Sequence, residues 1–224
     1  MSASKTAVAC SLGFETPTPA RLIVDGPLPG VENMAKDQAL LDAAPNAAEP
    51  VVRFFRWREP TVSFGRTQKE DDARTFAASV GARALVRRPT GGGMVWHDQD
   101  LSLSIAWRRG SPGFPTCIKN VYRGIHEALA AALAAEGYAV SLYQPAPQRL
   151  PGQCFVEPVE ADVMWEGKKV IGGALRVAAG GRLYQGDIQT AALGANPDRV
   201  LRRAVAALGR LFLFRDDEIQ NFHQ

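Results

Sequence analysis

The sequence predicts an α/β (α+β) domain whose mostly antiparallel mixed sheet is flanked by helices. Three observations carry this. Strand-like runs follow one another across short turns instead of alternating regularly with helices. Ile118 to Glu136 is strongly amphipathic: Ile118, Val121, Tyr122, Ile125, Leu129, Ala132 and Leu133 recur at three- and four-residue intervals, so one helical face must pack on the sheet. The glycine run Gly91-Gly92-Gly93 lacks both the GxGxxG spacing and the following helix of a doubly wound dinucleotide fold.

The elements follow in order. Arg21 to Val24 reads as a strand and Glu32 to Ala43 as a helix with Met34, Leu40 and Leu41 to bury. Val51 to Trp57 and Thr61 to Phe64 are strands around the turn Arg58-Glu59-Pro60, and Asp71 to Val80 is a helix stopped by Gly81. Arg83 to Val86 and the alternating Leu101 to Trp107 flank the glycine run. Gly137 closes the long helix, Tyr138 to Tyr143 is a strand, and Gln144 to Gly152 is a Pro-rich loop. Ala161 to Trp165, Val170 to Val177 and Arg182 to Gln189 form a further antiparallel set. Asn196-Pro197 supplies a cap and first-turn pair for a last helix, Asp198 to Leu208. Residues 1–19 read as a loosely ordered lead-in, and residues 20–224 as a single domain, a size that can bury one full core.

Composition narrows the function. No uncharged run is long enough for a membrane span, and Ala7-Val8-Ala9-Cys10 is too short for a signal-peptide core, so the expected location is the cytoplasm. The three cysteines, Cys10, Cys117 and Cys154, lack CxxC spacing and cannot all pair, which points to free thiols in a reducing compartment and away from zinc. A formal charge of +3, with no unbroken basic run or aromatic interleaving, argues against nucleic acid as a partner.

The most telling segment is Arg87-Arg88-Pro89-Thr90-Gly91-Gly92-Gly93-Met94-Val95-Trp96-His97-Asp98. Glycines after a strand can take positive φ and turn several N–H groups toward a carbonyl oxygen, carboxylate or phosphate. The same pattern also fits a plain hairpin turn to the strand Leu101 to Trp107, and local sequence leaves both open. Two later residues carry chemical interest: Cys154, in Cys154-Phe155-Val156-Glu157-Pro158, and Lys169, in Gly167-Lys168-Lys169-Val170-Ile171-Gly172-Gly173-Ala174. Lys168 would point to the opposite side of a strand and is assigned a solvated role.

RRPTGGGMVWHD followed by GKKVIGGALR resembles the lipoate-protein ligase and octanoyltransferase family, related to biotin-protein ligases, whose members commonly show RRxTGGGAVxHD and GRKVxGSAQR. The resemblance runs from RLIVDGPLPGVENMAKDQALL through FRWREPTVSFGRTQ to RLYQGDIQ, covering most of residues 21–197 in the right order. It implies a biotin/lipoate-protein ligase-like catalytic domain, with a class II synthetase-like sheet. It assigns Lys169 to the acyl carbonyl or acyl-adenylate phosphate, and Arg88, Thr90, Gly91, Gly92, Gly93, His97, Gly172, Gly173 and Ala174 to the acyl or substrate site. CFVEP is similar to the CFxxP context of the cysteine-dependent octanoyltransferases and marks Cys154 as the nucleophile. A thiolate suits a thioester donor because thiol exchange costs little free energy.

The implied reaction moves an octanoyl or lipoyl group from acyl carrier protein to a specific lysine of a lipoyl carrier domain, such as glycine-cleavage H protein or a 2-oxoacid dehydrogenase E2. It passes through a Cys154 thioester and uses no cofactor and no metal. An apolar tunnel beside Arg88 to Gly93 is expected for the eight-carbon chain, at about 0.8 kcal/mol per buried CH₂. The alternative is an ATP- and Mg-dependent lipoate-protein ligase acting through lipoyl-AMP, and the Gly65-Arg66-Thr67-Gln68 run is seen more often in such ligases. The chain's end soon after residue 208 suggests no additional C-terminal domain, which favours transfer. A non-catalytic module binding acylated carriers is the third reading. Leu175, Tyr184 and Asp187 depart from the family's glutamine, histidine and serine. His126 and His223 have no partner that the sequence names.

Overall fold

A computed structural model describes residues 13–14, 16–145 and 158–223. Its strands are β1 Thr18–Pro19, β2 Arg21–Leu28, β3 Val51–Trp57, β4 Thr61–Phe64, β5 Ala84–Arg87, β6 Val95–His97, β7 Leu101–Arg108, β8 Val140–Leu142, β9 Val163–Trp165, β10 Lys168–Val177, β11 Gly181–Ile188 and β12 Phe212–Leu213. Its helices are α1 Gly30–Ala43, α2 Glu70–Ser79, α3 Ile118–Ala134, α4 Thr190–Leu193, α5 Pro197–Leu208 and α6 Asp216–His223.

The main sheet has seven strands in the order β2-β3-β7-β11-β10-β9-β8. Only β2 and β3 run parallel; the other pairs are antiparallel, as the strand spacing predicts. A second sheet of three strands, β5-β4-β6, stands beside it. The strands around Arg58-Glu59-Pro60 therefore form but do not pair. Both edges of β3 are taken, by β2 and β7, so β4 departs to pair with β5 and β6. The plain hairpin between Arg83–Val86 and Leu101–Trp107 is likewise absent: β5 pairs with β4, and β7 with β3 and β11. The glycine run crosses from β5 to β6 on opposite sides of β4.

Helices α3 and α5 pack on each other and bury the main core against one sheet face, through Ile125, Leu129, Leu133, Val200, Leu201 and Leu208. The Asn196 side chain accepts from the N–H groups of Asp198 and Arg199, the predicted cap. Helix α1 lies on the other face and touches β3, β7, β11 and β5, so it ties the two sheets together. Met34, Phe55, Trp57 and Val86 are the apolar joint between them.

Strand alternation then sorts β11 by chemistry. Leu183 joins Leu41 and Ala44 on the α1 side, where Gln185 also reaches Asp37. Tyr184 faces α3 and bonds His126.

Candidate functional site

The glycine loop is held from below by Arg88. Each guanidinium nitrogen donates to protein: Nε and Nη2 to the Gly91 carbonyl (3.1 and 2.7 Å), Nη2 also to the Gly93 carbonyl (2.6 Å), and Nη1 to Ser63 O and Oγ (both 3.2 Å). Burial lowers the Arg88 pKa to about 10, against the attraction of Asp187. With its donors committed, Arg88 shapes the loop, and the loop is what meets solvent. Gly92 has φ +89° and is exposed. Gly65 lies so close beneath that a Cβ there would overlap the Gly92 carbonyl.

Thr90 fixes the loop's entry. Its N–H and hydroxyl both donate to Gln185 Oε1 (3.3 and 2.7 Å), and Gln185 Nε2 donates to Asp37 Oδ2 (2.6 Å) on α1. Asp37 is in turn paired with the buried Arg53 at 2.7 Å. The register of β11 thus sets the position of Thr90.

Lys169 comes from the start of β10. Its ammonium lies 2.8 Å from Asp162 Oδ2, and its stem folds over Gly172, where a Cβ would overlap Lys169 Cε. Ala174 sits two residues on, against Gly92, whose own Cβ would come within 3.7 Å of the Ala174 Cβ. Gly172 and Ala174 share one strand face, about 6.6 Å apart along it. Lys169 and the glycine loop are therefore neighbours over one patch of β10. Gly173 points the other way; there a Cβ would meet the Tyr184 ring at 2.6 Å. Lys168 is exposed, in keeping with its solvated assignment.

Asp162 is buried and collects three donors. Oδ2 accepts from Lys169 and from the Val159 N–H (2.8 Å), and Oδ1 from the Tyr122 hydroxyl (2.5 Å), which also receives the Gly173 N–H at 3.0 Å. Burial, with Tyr184 and Asp162 nearby, keeps the Tyr122 phenol protonated well above its ordinary range. Ala161, just before Asp162, has φ +71°, an uncommon conformation for a non-glycine residue. Its carbonyl is gripped by His126 Nδ1 at 2.8 Å, and its N–H donates to the Tyr143 carbonyl at 2.9 Å.

His97 lies behind the loop, stacked on Trp57 with ring centres 4.1 Å apart. Its Nε2 is 2.8 Å from Ser63 Oγ and its Nδ1 3.2 Å from Asp187 Oδ1. The connectivity is that of a nucleophile, base and acid, but Ser63 is 2% exposed and its oxygen is capped by Arg88. No acyl group reaches it. Ser63 Oγ accepts from Arg88 and gives its proton to Nε2, which leaves Nδ1–H to donate to Asp187. Asp187 also accepts from Ser102 Oγ (2.6 Å) and Gln189 Nε2 (2.5 Å).

Asp100 shares this pocket, and the ligand atoms of His97, Asp100 and Asp187 lie within 4.8 Å of one another. Burial and the Asp187 charge push the Asp100 carboxyl up to about 10, while burial of Asp187 is outweighed by His97 and its other donors, which hold it below the ordinary value. The pair shares one proton, so it reads as a hydrogen-bonded dyad.

The cavity beside the loop is an open cleft of about 460 Å³. Arg66, Thr67 and Arg176 make its polar side, and Leu175 and Val177 its apolar side. Cys154, the sequence's candidate nucleophile, lies outside the described residues. Of the predicted residues the fold brings Gly92 and Lys169 over Gly172 and Ala174, with Gly91 and Gly93 on either side of Gly92 in the loop, while Thr90, Arg88 and His97 support the loop from behind and Gly173 faces α3. Sequence reasoning missed Asp162 and Tyr122, which belong to no motif, and Ser63, which stands unassigned within FRWREPTVSFGRTQ. Gln185 stood in the quoted RLYQGDIQ segment, but no role was drawn from it.

Residues 29–203 match the profile of the Lipoyl protein ligase A/B catalytic domain. The chain belongs to this family. Among curated relatives of this lipoyl ligase family, it is 33% identical over 177 residues to an octanoyltransferase LipM of Kyrpidia tusciae and 33% identical over 178 residues to that of Geobacillus kaustophilus. Each match covers 75% of this chain and less than two thirds of the relative, 65% and 64% of its length. Two solved family folds superpose well. The T. acidophilum protein Ta0514 with bound lipoic acid gives a TM-score of 0.69 at 20% identity, covering 92% of this chain and 93% of that one. A lipoate-protein ligase A bound with ATP gives 0.67 at 21%, covering 91% and 92%. These likenesses confirm the fold class predicted from the strand order.

Proposed function

We propose that this protein is an octanoyl (or lipoyl) transferase of protein lipoylation. The single observation that carries the reading is the placement of the Lys169 ammonium and the Gly91–Gly93 loop side by side over Gly172 and Ala174. An ammonium and a glycine loop on one patch suit an oxyanion that forms during acyl transfer.

In this reading the Cys154 thiolate attacks the thioester carbonyl of octanoyl-acyl carrier protein, and the carrier's thiolate leaves. The lysine amine of a lipoyl carrier domain then attacks the Cys154 thioester. The tetrahedral oxyanion is stabilised by Lys169 and by loop N–H groups, and collapse expels the Cys154 thiolate as the amine gives up its proton, leaving an amide. No cofactor takes part. The octanoyltransferase names of the curated relatives favour this over adenylation.

The ligase reading draws on the solved neighbour bound with ATP and on the cleft that Arg66 and Arg176 line. In it ATP and Mg²⁺ would activate lipoate, and Cys154 would be dispensable. Intact-mass spectrometry after incubation with octanoyl-acyl carrier protein, without ATP, tests the choice. A hydroxylamine-sensitive octanoyl adduct on wild type, absent from Cys154→Ala, is the expected result. No adduct, together with lipoate-dependent release of pyrophosphate from ATP, would establish the ligase.

A further inference from the structure

We infer that Asp162 is a positioning residue for Lys169, set in place by Tyr122 and His126 of helix α3. The inference rests on the proposed role of Lys169 as the oxyanion-stabilising cation.

A lysine on a four-carbon stem does not hold one place unless something fixes it. Lys169 has 42% of its side chain exposed, so packing alone does not fix it; the ion pair at 2.8 Å does. The partner is anchored where the lysine is not, with its side chain fully buried. A buried carboxylate is sustained only when its oxygens are satisfied. Tyr122 serves Oδ1, and the Val159 N–H and Lys169 share Oδ2.

The backbone beneath Asp162 is made to aim it. Ala161 at φ +71° turns the chain so that Asp162 faces inward, toward Tyr122 and Lys169. Such a conformation persists only where surrounding bonds determine it. Four do so here: His126 to the Ala161 carbonyl, Ala161 to Tyr143, Tyr143 to the Asp162 carbonyl, and Asp162 to the Val159 carbonyl. Tyr122 and His126 lie four residues apart on α3, so one helical face supplies both the hydroxyl for the carboxylate and the imidazole for the turn. Tyr122 also receives the Gly173 N–H, which ties the Asp162 hub to the strand carrying Lys169 and Gly172.

A positioning role differs from a structural one in what it moves. Loss of the Asp162 charge should release the Lys169 amine from its ion pair and leave it more open to reagent. Wild type, Asp162→Asn, Tyr122→Phe and Lys169→Ala are compared in two assays. The first is transfer from octanoyl-acyl carrier protein to a lipoyl domain; the second is labelling of Lys169 by an amine-selective reagent, read by peptide mass spectrometry. We expect Asp162→Asn to lower kcat about tenfold to a hundredfold with little change in KM for either carrier, and Lys169 labelling to rise several-fold. Tyr122→Phe, which keeps the carboxylate and the ring, should move both readouts in the same direction by less.

Transfer by Asp162→Asn within about twofold of wild type, while Lys169→Ala is inactive, would overturn the inference and leave the transferase reading standing. Full transfer by Lys169→Ala would instead remove the reading on which the inference rests. Equal Lys169 labelling in wild type and both variants would overturn the inference whatever the activity. Tyr122→Phe guards against a folding defect in Asp162→Asn.

Discussion

The Tyr184 hydroxyl donates to Nε2 of His126 at 2.8 Å, because Nδ1 of the same ring must give its proton to the Ala161 carbonyl. Burial holds the His126 pKa down to about 4, so the ring is neutral and its tautomer is set by that carbonyl. The phenol that departs from the family's usual histidine is thus matched by a histidine on α3. Tyr184→Phe leaves Nε2 buried with no donor and should cost about 1–3 kcal/mol in urea unfolding.

Ala161→Gly should have the opposite sign. A left-handed non-glycine residue carries about 1–2 kcal/mol of strain, and glycine's extra unfolded-state freedom returns about 0.4–1 of that. The expected net gain is about 0.5–1 kcal/mol in the same unfolding assay.

Two adjacent glycines should separate activity from stability. A methyl at Gly172 meets the flexible end of Lys169 and displaces the ammonium, so Gly172→Ala should lose transfer with its unfolding midpoint little changed. A methyl at Gly173 meets the rigid Tyr184 ring, so Gly173→Ala should lose about 1–3 kcal/mol of stability.

Stability should fall at alkaline pH. Asp100, ordinarily near 3.8, titrates near 10 in the fold, so between those values the folded chain holds a proton that the unfolded chain releases. Its contribution is fully present below its ordinary pKa and declines as pH rises toward 10. His126 opposes this only between about 4 and 6.5, where the unfolded ring binds the extra proton. From about pH 6.5 to 10, Asp100 is the shifted group among the described residues that loses its proton, so stability should decline steadily across that range. Urea midpoints across that range should show it, and Asp100→Asn should flatten it.

Arg88→Lys tests the loop's scaffold. A single ammonium cannot serve Gly91, Gly93 and Ser63 together, so at least one buried carbonyl loses its donor, at about 2–3 kcal/mol. Transfer activity should fall further than stability, because the carbonyls released belong to the loop beside Lys169.

The sequence made the strand order and the glycine loop legible because both are local: periodicity marks α3 and the hairpin partners β10 and β11, and the RRPTGGG and GKKVIGG runs are contiguous. What escaped is non-local. Asp162 is one acid in Glu160-Ala161-Asp162-Val163, and its partner Tyr122 is 40 residues upstream on a helix whose pattern reports only apolar burial. Tyr184 was visible as a departure from the family, but His126, 58 residues away, was not visible as its answer. The separation of β3 and β4 into different sheets depends on β7 taking the free edge of β3, which no turn residue encodes.

The bond from Thr90 to Gln185 spans 95 positions, and β7 cannot complete its pairing until β11, some 80 residues later, has left the ribosome. Contacts of such separation form slowly because loop closure must precede them. A chain halted anywhere before β11 has the glycine run and Arg88 but lacks Gln185, which fixes Thr90 at the loop's entry. The loop is therefore a late product of folding, and its acquisition of protection against a protease should report, more sharply than helix content, the moment at which a newly made molecule becomes competent.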